Sequence, residues 1–187
     1  MKKIIPYGRQ YIDQSDINLV STSLKKDLIT TGKYVEKFEN KTSEFLNAKY
    51  TLSCSSATSA LHLSFFAAGL TKNDVVVMPS VNFISAYNMA SNLGANIYLA
   101  DVDPETGQMT PETLINCINK FKLKKIKIIV TMYMGGFPEN TYKFYKIKKK
   151  YKCILIEDAC HAFGAKYYIK NRQYKIGSCN HSDMATF

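Results

Sequence analysis

The sequence predicts an α/β domain in which a parallel-rich sheet is packed between helices. Three observations carry this. Short apolar runs recur at 51–54, 75–78, 97–100, 126–131 and 153–157, and stretches with helical spacing fill the intervals at 58–68, 84–93, 111–120 and 141–150. The runs stop abruptly at small or polar residues, as buried parallel strands do. At 187 residues and 46% hydrophobic content, the chain can bury a sizeable core.

Taken in order, residues 4–10 read as extended, broken by Pro6 and Gly8. Ser15 is placed to cap a helix running to about Lys26, with Ile17, Val20 and Leu24 on one face. A polar loop, Asp27-Leu-Ile-Thr-Thr-Gly32, leads to a second amphipathic helix with Val35, Phe38 and Phe45 turned inward. Such faces serve as core or as dimer contacts. The sequence divides into an N-terminal helical segment, 1–48, and the alternating strand–helix domain, 49–187. In the later part, Pro111 suits the first turn of its helix, with Thr110 as cap and Thr113 behind it.

Composition narrows the function. The net charge is +10, yet only Arg9 and Arg172 are arginine, leaving 23 lysines. A nucleic-acid binder relies on arginine for bidentate contacts, so nucleic acid is not an expected partner. The dense run at 143–152 lies at a helix C-terminus, where lysines oppose the negative end of the dipole. No apolar run has transmembrane length and the first ten residues lack a signal-peptide core, so no membrane partner is expected. The five cysteines form no CxxC pair, which points to reduced thiols, a cytoplasmic protein and no metal.

Candidate chemistry collects at three run ends. Asp158 closes the run 153–157, where ligands of open α/β sheets sit, and a carboxylate there needs a partner. It is either a ligand group or the N-cap of a following helix. Ser55, Ser56, Thr58 and Ser59 crowd a strand-to-helix junction around Ala57, either as a phosphate cradle or as a serine-rich cap. No GxGxxG or Walker loop is present. Phe83, just beyond the run that ends at Met78, can cover a flat ligand or fill the core. A phosphate anchor, a stacking face and a buried acid together match what pyridoxal phosphate requires.

The motifs Thr31-Gly-x-x-Val-x-x-Phe38-Glu, Ser55-Ser-Ala-Thr-Ser-Ala-Leu-His-Leu63, Pro79-x-x-x-Phe83, Gly94-Ala95 with Asp101-Val-Asp-Pro104, and Glu157-Asp-Ala-Cys-His-Ala-x-Gly-Ala165 follow in this order. Together they resemble the DegT/DnrJ/EryC1/StrS sugar-nucleotide aminotransferases over the whole chain. Ile5-Pro-Tyr-Gly-Arg-Gln10 and Ile176-Gly-Ser-Cys-x-x-Ser-Asp183 resemble the branch of the family that makes pseudaminic acid.

The resemblance implies the aspartate-aminotransferase-type fold (pyridoxal phosphate fold type I), with pyridoxal 5'-phosphate as cofactor. It places Ala57 and Thr58 on the cofactor phosphate, Phe83 on the pyridine face, Asp158 at the ring nitrogen, and His161, where many relatives have glutamine, near the ring hydroxyl. Tyr7, Asp27, Leu28, Ile29, Thr30 and Ser56 match the substrate edge. His62 and His181 read as structural or exposed.

The implied substrate is a UDP-linked 4-keto-6-deoxy amino sugar, with glutamate as amino donor and a homodimer as the working form. Relatives carry the lysine that forms the Schiff base a few residues past a phenylalanine like Phe187, so that lysine and the small C-terminal domain are expected beyond this chain. No lysine present stands in its motif, the catalytic set here is empty, and the chain alone is expected to be inactive. Met132 stands where a histidine is frequent. A non-catalytic cofactor or sugar-nucleotide binding protein, or the inert product of a truncated gene, are the other readings that the residues allow.

Overall fold

The computed structural model describes Pro6 and residues 8–187; Tyr7, expected at the substrate edge, and Ile4 and Ile5 of the extended start lie outside the described residues. Two helices lead, α1 (Gln14–Ser23) and α2 (Lys33–Leu46). Then come α3 (Ala57–Ala67), β1 (Val75–Pro79), α4 (Ser85–Asn92), β2 (Asn96–Ala100), α5 (Pro111–Lys120), β3 (Ile128–Met132), α6 (Thr141–Tyr151) and β4 (Ile154–Asp158). A hairpin of β5 (Lys166–Ile169) and β6 (Arg172–Lys175) precedes the short β7 (Met184–Thr186).

Five strands make one sheet in the order β2-β1-β3-β4-β7, every pairing parallel, while β5 and β6 pair antiparallel. Period-two alternation splits the strand residues between two apolar layers. Val76, Met78, Ile128, Val130 and Ile156 pack with Leu61, Phe65, Ala86 and Ala90 of α3 and α4. Val77, Ala100, Ile129 and Leu155 pack with Leu114, Cys117, Ile118 and Phe144 of α5 and α6. The sheet is therefore covered on both faces, which is why its strands read as continuous apolar runs.

Local chemistry explains the boundaries. Thr110 caps α5 in a reciprocal box with Thr113, and Pro111 occupies the first turn. At α1 the cap is Asp13, boxed with Asp16, rather than Ser15; a carboxylate two residues earlier takes both the Ser15 and the Asp16 N–H.

Besides the Ser15 cap, two expectations change, and of the two uses open to the α1 face, core or dimer contact, the core of this chain is not the one. Residues 51–54 form no strand, because the Glu39 carboxylate takes the Ser53 N–H at 2.7 Å and its hydroxyl at 2.8 Å in place of a ladder partner. Val35, Phe38 and Phe45 are exposed, and α2 buries Thr42 and Leu46 instead. Ile17, Val20 and Leu24 are exposed too, and α1 buries none of its residues. Phe45 does find a partner: it stacks on Phe163 with ring centroids 5.4 Å apart, and Lys175 donates to its carbonyl.

Candidate active site

Topology brings the expected cofactor residues to one edge. A helix that feeds the amino end of a parallel strand runs against it, so the α3 N-terminus lies at the carboxyl edge of the sheet. Ser56 caps that helix by accepting from the Ser59 N–H at 3.2 Å, and its hydroxyl lies 3.1 Å from that of Ser59. Ala57 and Thr58 form the first turn, whose N–H groups have no carbonyl acceptor within the helix. Phe83 follows β1, stands 69% exposed, and donates its N–H to Asn82 Oδ1 at 2.7 Å. The Asn82 amide nitrogen is buried at the same place with no hydrogen-bond partner.

Asp158 ends β4 and is only 2% exposed. Its parity with Ile156 turns the side chain toward the α3 and α4 layer. Cys160 N–H donates to it at 3.5 Å, and neither ion pair among the described residues, Lys41–Glu44 or Lys148–Asp183, reaches it. Crowding around the sulfur and the neighbouring carboxylate push the Cys160 thiol up to about 12, although the residue is open to solvent.

Met132 pairs with Asp158 across the sheet and leads through Tyr133 into a 3-10 turn, Met134–Gly136. Gly135 N–H donates to Nδ1 of His161 at 3.3 Å. Gly136, at φ +81°, lets the turn lie on His161; a Cβ there would overlap the His161 carbonyl oxygen. The loop 27–30 is exposed and stands apart from these segments in the hydrogen bonds of the described residues. A cleft of about 450 Å³ lies elsewhere, between Leu46 and Asn47 of the α2 end and Arg172–Lys175 of the hairpin, and holds none of the expected residues.

Sequence reasoning missed one buried group at this edge. Glu157, 2% exposed, faces the α5 and α6 side. Tyr133 donates to its Oε1 at 2.9 Å and lies 3.2 Å from the hydroxyl of Thr141, the first residue of α6. Burial raises the Glu157 carboxyl to about 7, against the opposing pull of Tyr133, Ser182 and the Gly177 N–H. The Ser182 hydroxyl acts at short range without reaching hydrogen-bond geometry. Only an acidic residue inside an otherwise apolar run signalled this group in the sequence.

The profile of the DegT/DnrJ/EryC1/StrS aminotransferase family matches residues 10–187. The chain belongs to this family. Solved structures agree with it. An aminotransferase from Psychrobacter cryohalolentis superposes with a TM-score of 0.80 at 27% identity, over 92% of this chain and 42% of that one. Helicobacter pylori PseC, an aminotransferase of pseudaminic acid biosynthesis, gives 0.80 at 25% identity over 94% and 45%. NtdA from Bacillus subtilis, solved with bound cofactor PMP, gives 0.70 at 27% identity over 80% and 34%. The chain thus spans less than half the length of each. The fold of this DegT-family chain is the pyridoxal phosphate type I aminotransferase fold, and pyridoxal phosphate is the cofactor of the family. Among the described residues no group of three or more His, Cys, Asp or Glu could hold a metal, and no helix is long and apolar enough to cross a membrane.

Proposed function

We propose that this chain is the cofactor-holding part of a sugar-nucleotide aminotransferase in pseudaminic acid biosynthesis, most like UDP-4-amino-4,6-dideoxy-N-acetyl-beta-L-altrosamine transaminase. Its substrate is a UDP-linked 4-keto-6-deoxy amino sugar, and glutamate is the amino donor. The observation that carries the reading is Asp158: a buried carboxylate without a cation partner among the described residues, at the carboxyl edge and on the layer of α3. Leaving such a group unpaired is costly, and a protonated pyridine nitrogen supplies the missing charge.

The remaining donors fit the same group. Ala57 and Thr58 offer N–H groups and a hydroxyl to a phosphate at the positive end of α3. Phe83 would cover one ring face, and His161, whose Nδ1 accepts from Gly135, would stand near the ring hydroxyl. When bound, pyridoxal phosphate supplies an electron sink for carbanion chemistry at the substrate carbon. Asp158 would keep the ring nitrogen protonated, which is the condition for that sink.

By the family resemblance, Ser56, Asp27, Leu28, Ile29, Thr30 and Tyr7 would contact the substrate. No lysine occurs in the edge segments 55–59, 79–86, 132–137 or 158–162, so the lysine that holds the cofactor carbonyl and moves the proton comes from another segment of the full enzyme. The apolar rows of α1 and α2, including Ile17, Val20, Leu24 and Phe38, suit contact with a second copy of the chain. Five free cysteines fit a reducing compartment such as the cytoplasm.

Asp158→Asn tests the reading. A carboxylate bonded to a cation contributes about 1.5–3 kcal/mol, so pyridoxal phosphate affinity should fall roughly 10- to 100-fold with the fold intact. Equal affinity in an equally stable variant overturns the assignment.

A further inference from the structure

We propose that Glu157 and Tyr133 are positioning residues of the cofactor edge: their hydrogen bond beneath the sheet sets the turn that holds His161 and the strand end that holds Asp158. The path is short and covalent or hydrogen-bonded throughout. Glu157 precedes Asp158 in β4 and, by strand parity, points to the opposite layer. It accepts from the Tyr133 hydroxyl at 2.9 Å. Tyr133 is the residue before the Met134–Gly136 turn, and its carbonyl accepts from Gly136 N–H at 2.9 Å. That turn bonds His161 through Gly135 and lies against its backbone at Gly136. Thr141, 3.2 Å from the same phenol, adds the start of α6 to the tie.

The surroundings decide which form of Glu157 the folded edge prefers. In a chain of net charge +10, no cation is among the groups acting on this carboxyl. Tyr133 faces it from the end of β3, Tyr167 from β5 and Cys179 from the loop before β7, with the Ser182 hydroxyl and the Gly177 N–H beside it. Burial first, and then the Glu157 charge, push both phenols up. Crowding around the thiol and the same charge push Cys179 to about 11, although part of that residue is open to solvent. The Lys148–Asp183 pair, at 2.6 Å, spends its charge internally and on the Leu155 N–H. The two phenols and the thiol are therefore neutral near pH 7, the ion pair cancels its own charge, and an ionised Glu157 would be a buried charge with nothing opposite it. The Tyr133 bond itself favours the carboxylate, but burial outweighs it, so the folded edge around the tie is more stable with Glu157 protonated and opens more readily as the proton leaves. Because the folded pKa lies above the unfolded one, stability from this group is full below about 4.5 and is lost as pH rises through about 7.

The inference rests on the cofactor reading only for its functional consequence; the tie itself is read without cofactor. Amide hydrogen exchange on this chain at pH 6 and pH 8, corrected for intrinsic rates, is the test. Protection in 134–136 and 158–162 should fall about tenfold at the higher pH, with β1 unchanged. Glu157→Gln should show equal protection at both values. Tyr133→Phe, which leaves Glu157 able to titrate, should loosen the same two segments at both. An identical pH response in wild type and Glu157→Gln, or a loss of protection spread evenly into β1, overturns the proposal. Pyridoxal phosphate titrations alongside should weaken several-fold from pH 6 to pH 8 in the wild type more than in Glu157→Gln. Absence of binding in every protein at both pH values overturns the cofactor reading instead, while the exchange data still judge the tie.

Discussion

Gly136 and the backbone of His161 occupy adjoining space: the glycine lies at φ +81° and a Cβ on it would overlap the His161 carbonyl oxygen. Both the dihedral and the contact exclude a side chain, and the turn they permit is the one that places Gly135 N–H on His161. Gly136→Ala should destabilise the chain by about 1–3 kcal/mol, measured by denaturant unfolding. Gly107→Ala, also at positive φ but with only the Met134 side chain at 3.9 Å, isolates the dihedral penalty and should be the milder change.

Thr58 tests the phosphate end of the edge. Thr58→Val keeps the volume and removes the hydroxyl, so cofactor affinity should fall by about 1.5–3 kcal/mol, the value of a hydrogen bond to a charged group. A helix-stability role alone would lower the melting temperature equally with and without pyridoxal phosphate. Melting curves at several cofactor concentrations separate the two, because a ligand stabilises in proportion to its affinity for the folded state.

What the sequence revealed, and what it hid, follows the range of each interaction. Asp158 and the strand beneath it were legible because an apolar run, an acid and small residues are a local pattern, and both faces of the sheet are buried. The Thr110 and Thr113 box was legible for the same reason. Residues 51–54 misled because the Ser53 donor is satisfied by Glu39, fourteen residues away, which no local pattern reports. Phe45 keeps helical spacing and still lies outside the core, since its partner Phe163 comes from the loop after β4. β7 has three residues, too few for a period to register. The Glu157–Tyr133 bond joins residues 24 apart, so only the fold could disclose it.

His181 supplies a second pH effect, of opposite sign to that of Glu157. Its ring sits edge-on among Tyr142, Tyr145, Tyr167 and Tyr174, and its Nδ1 lies 2.7 Å from the Tyr167 hydroxyl, joining the β5–β6 hairpin to α6. Burial lowers its pKa below 6.5, so the folded state favours the neutral ring. Stability from this group is present above pH 6.5 and is lost as pH falls through the depressed folded value. His181→Phe keeps ring packing and removes the titration. From pH 5 to pH 7 its melting temperature should fall more, or rise less, than that of the wild type, because the Glu157 titration is then unopposed; equal slopes would show that the histidine is not responsible.

Lysine reactivity supplies the last prediction. A transaminase must hold the cofactor aldehyde on one lysine, release it to the amino donor, and carry a proton between two carbons. The carboxyl edge supplies binding and electronics through Asp158, Phe83 and the α3 N-terminus, yet its segments contain none of the 23 lysines. Lys175, which might be thought poised, instead donates to the Phe45 carbonyl and sits 4.2 Å from the centre of its ring, at the far end of α2. Lys166 stands at the start of the exposed hairpin. The 187-residue chain alone should therefore turn over no keto-sugar nucleotide. Treatment with pyridoxal phosphate, reduction with borohydride and mapping by mass spectrometry should label many exposed lysines, each well below one equivalent. A single lysine labelled stoichiometrically, together with turnover, would place the reactive amine inside this chain and remove the division of labour proposed above. Scattered labelling that competes with neither phosphate nor a non-aldehyde cofactor analogue would leave the carboxyl edge as the specific site and the lysine to be supplied to it.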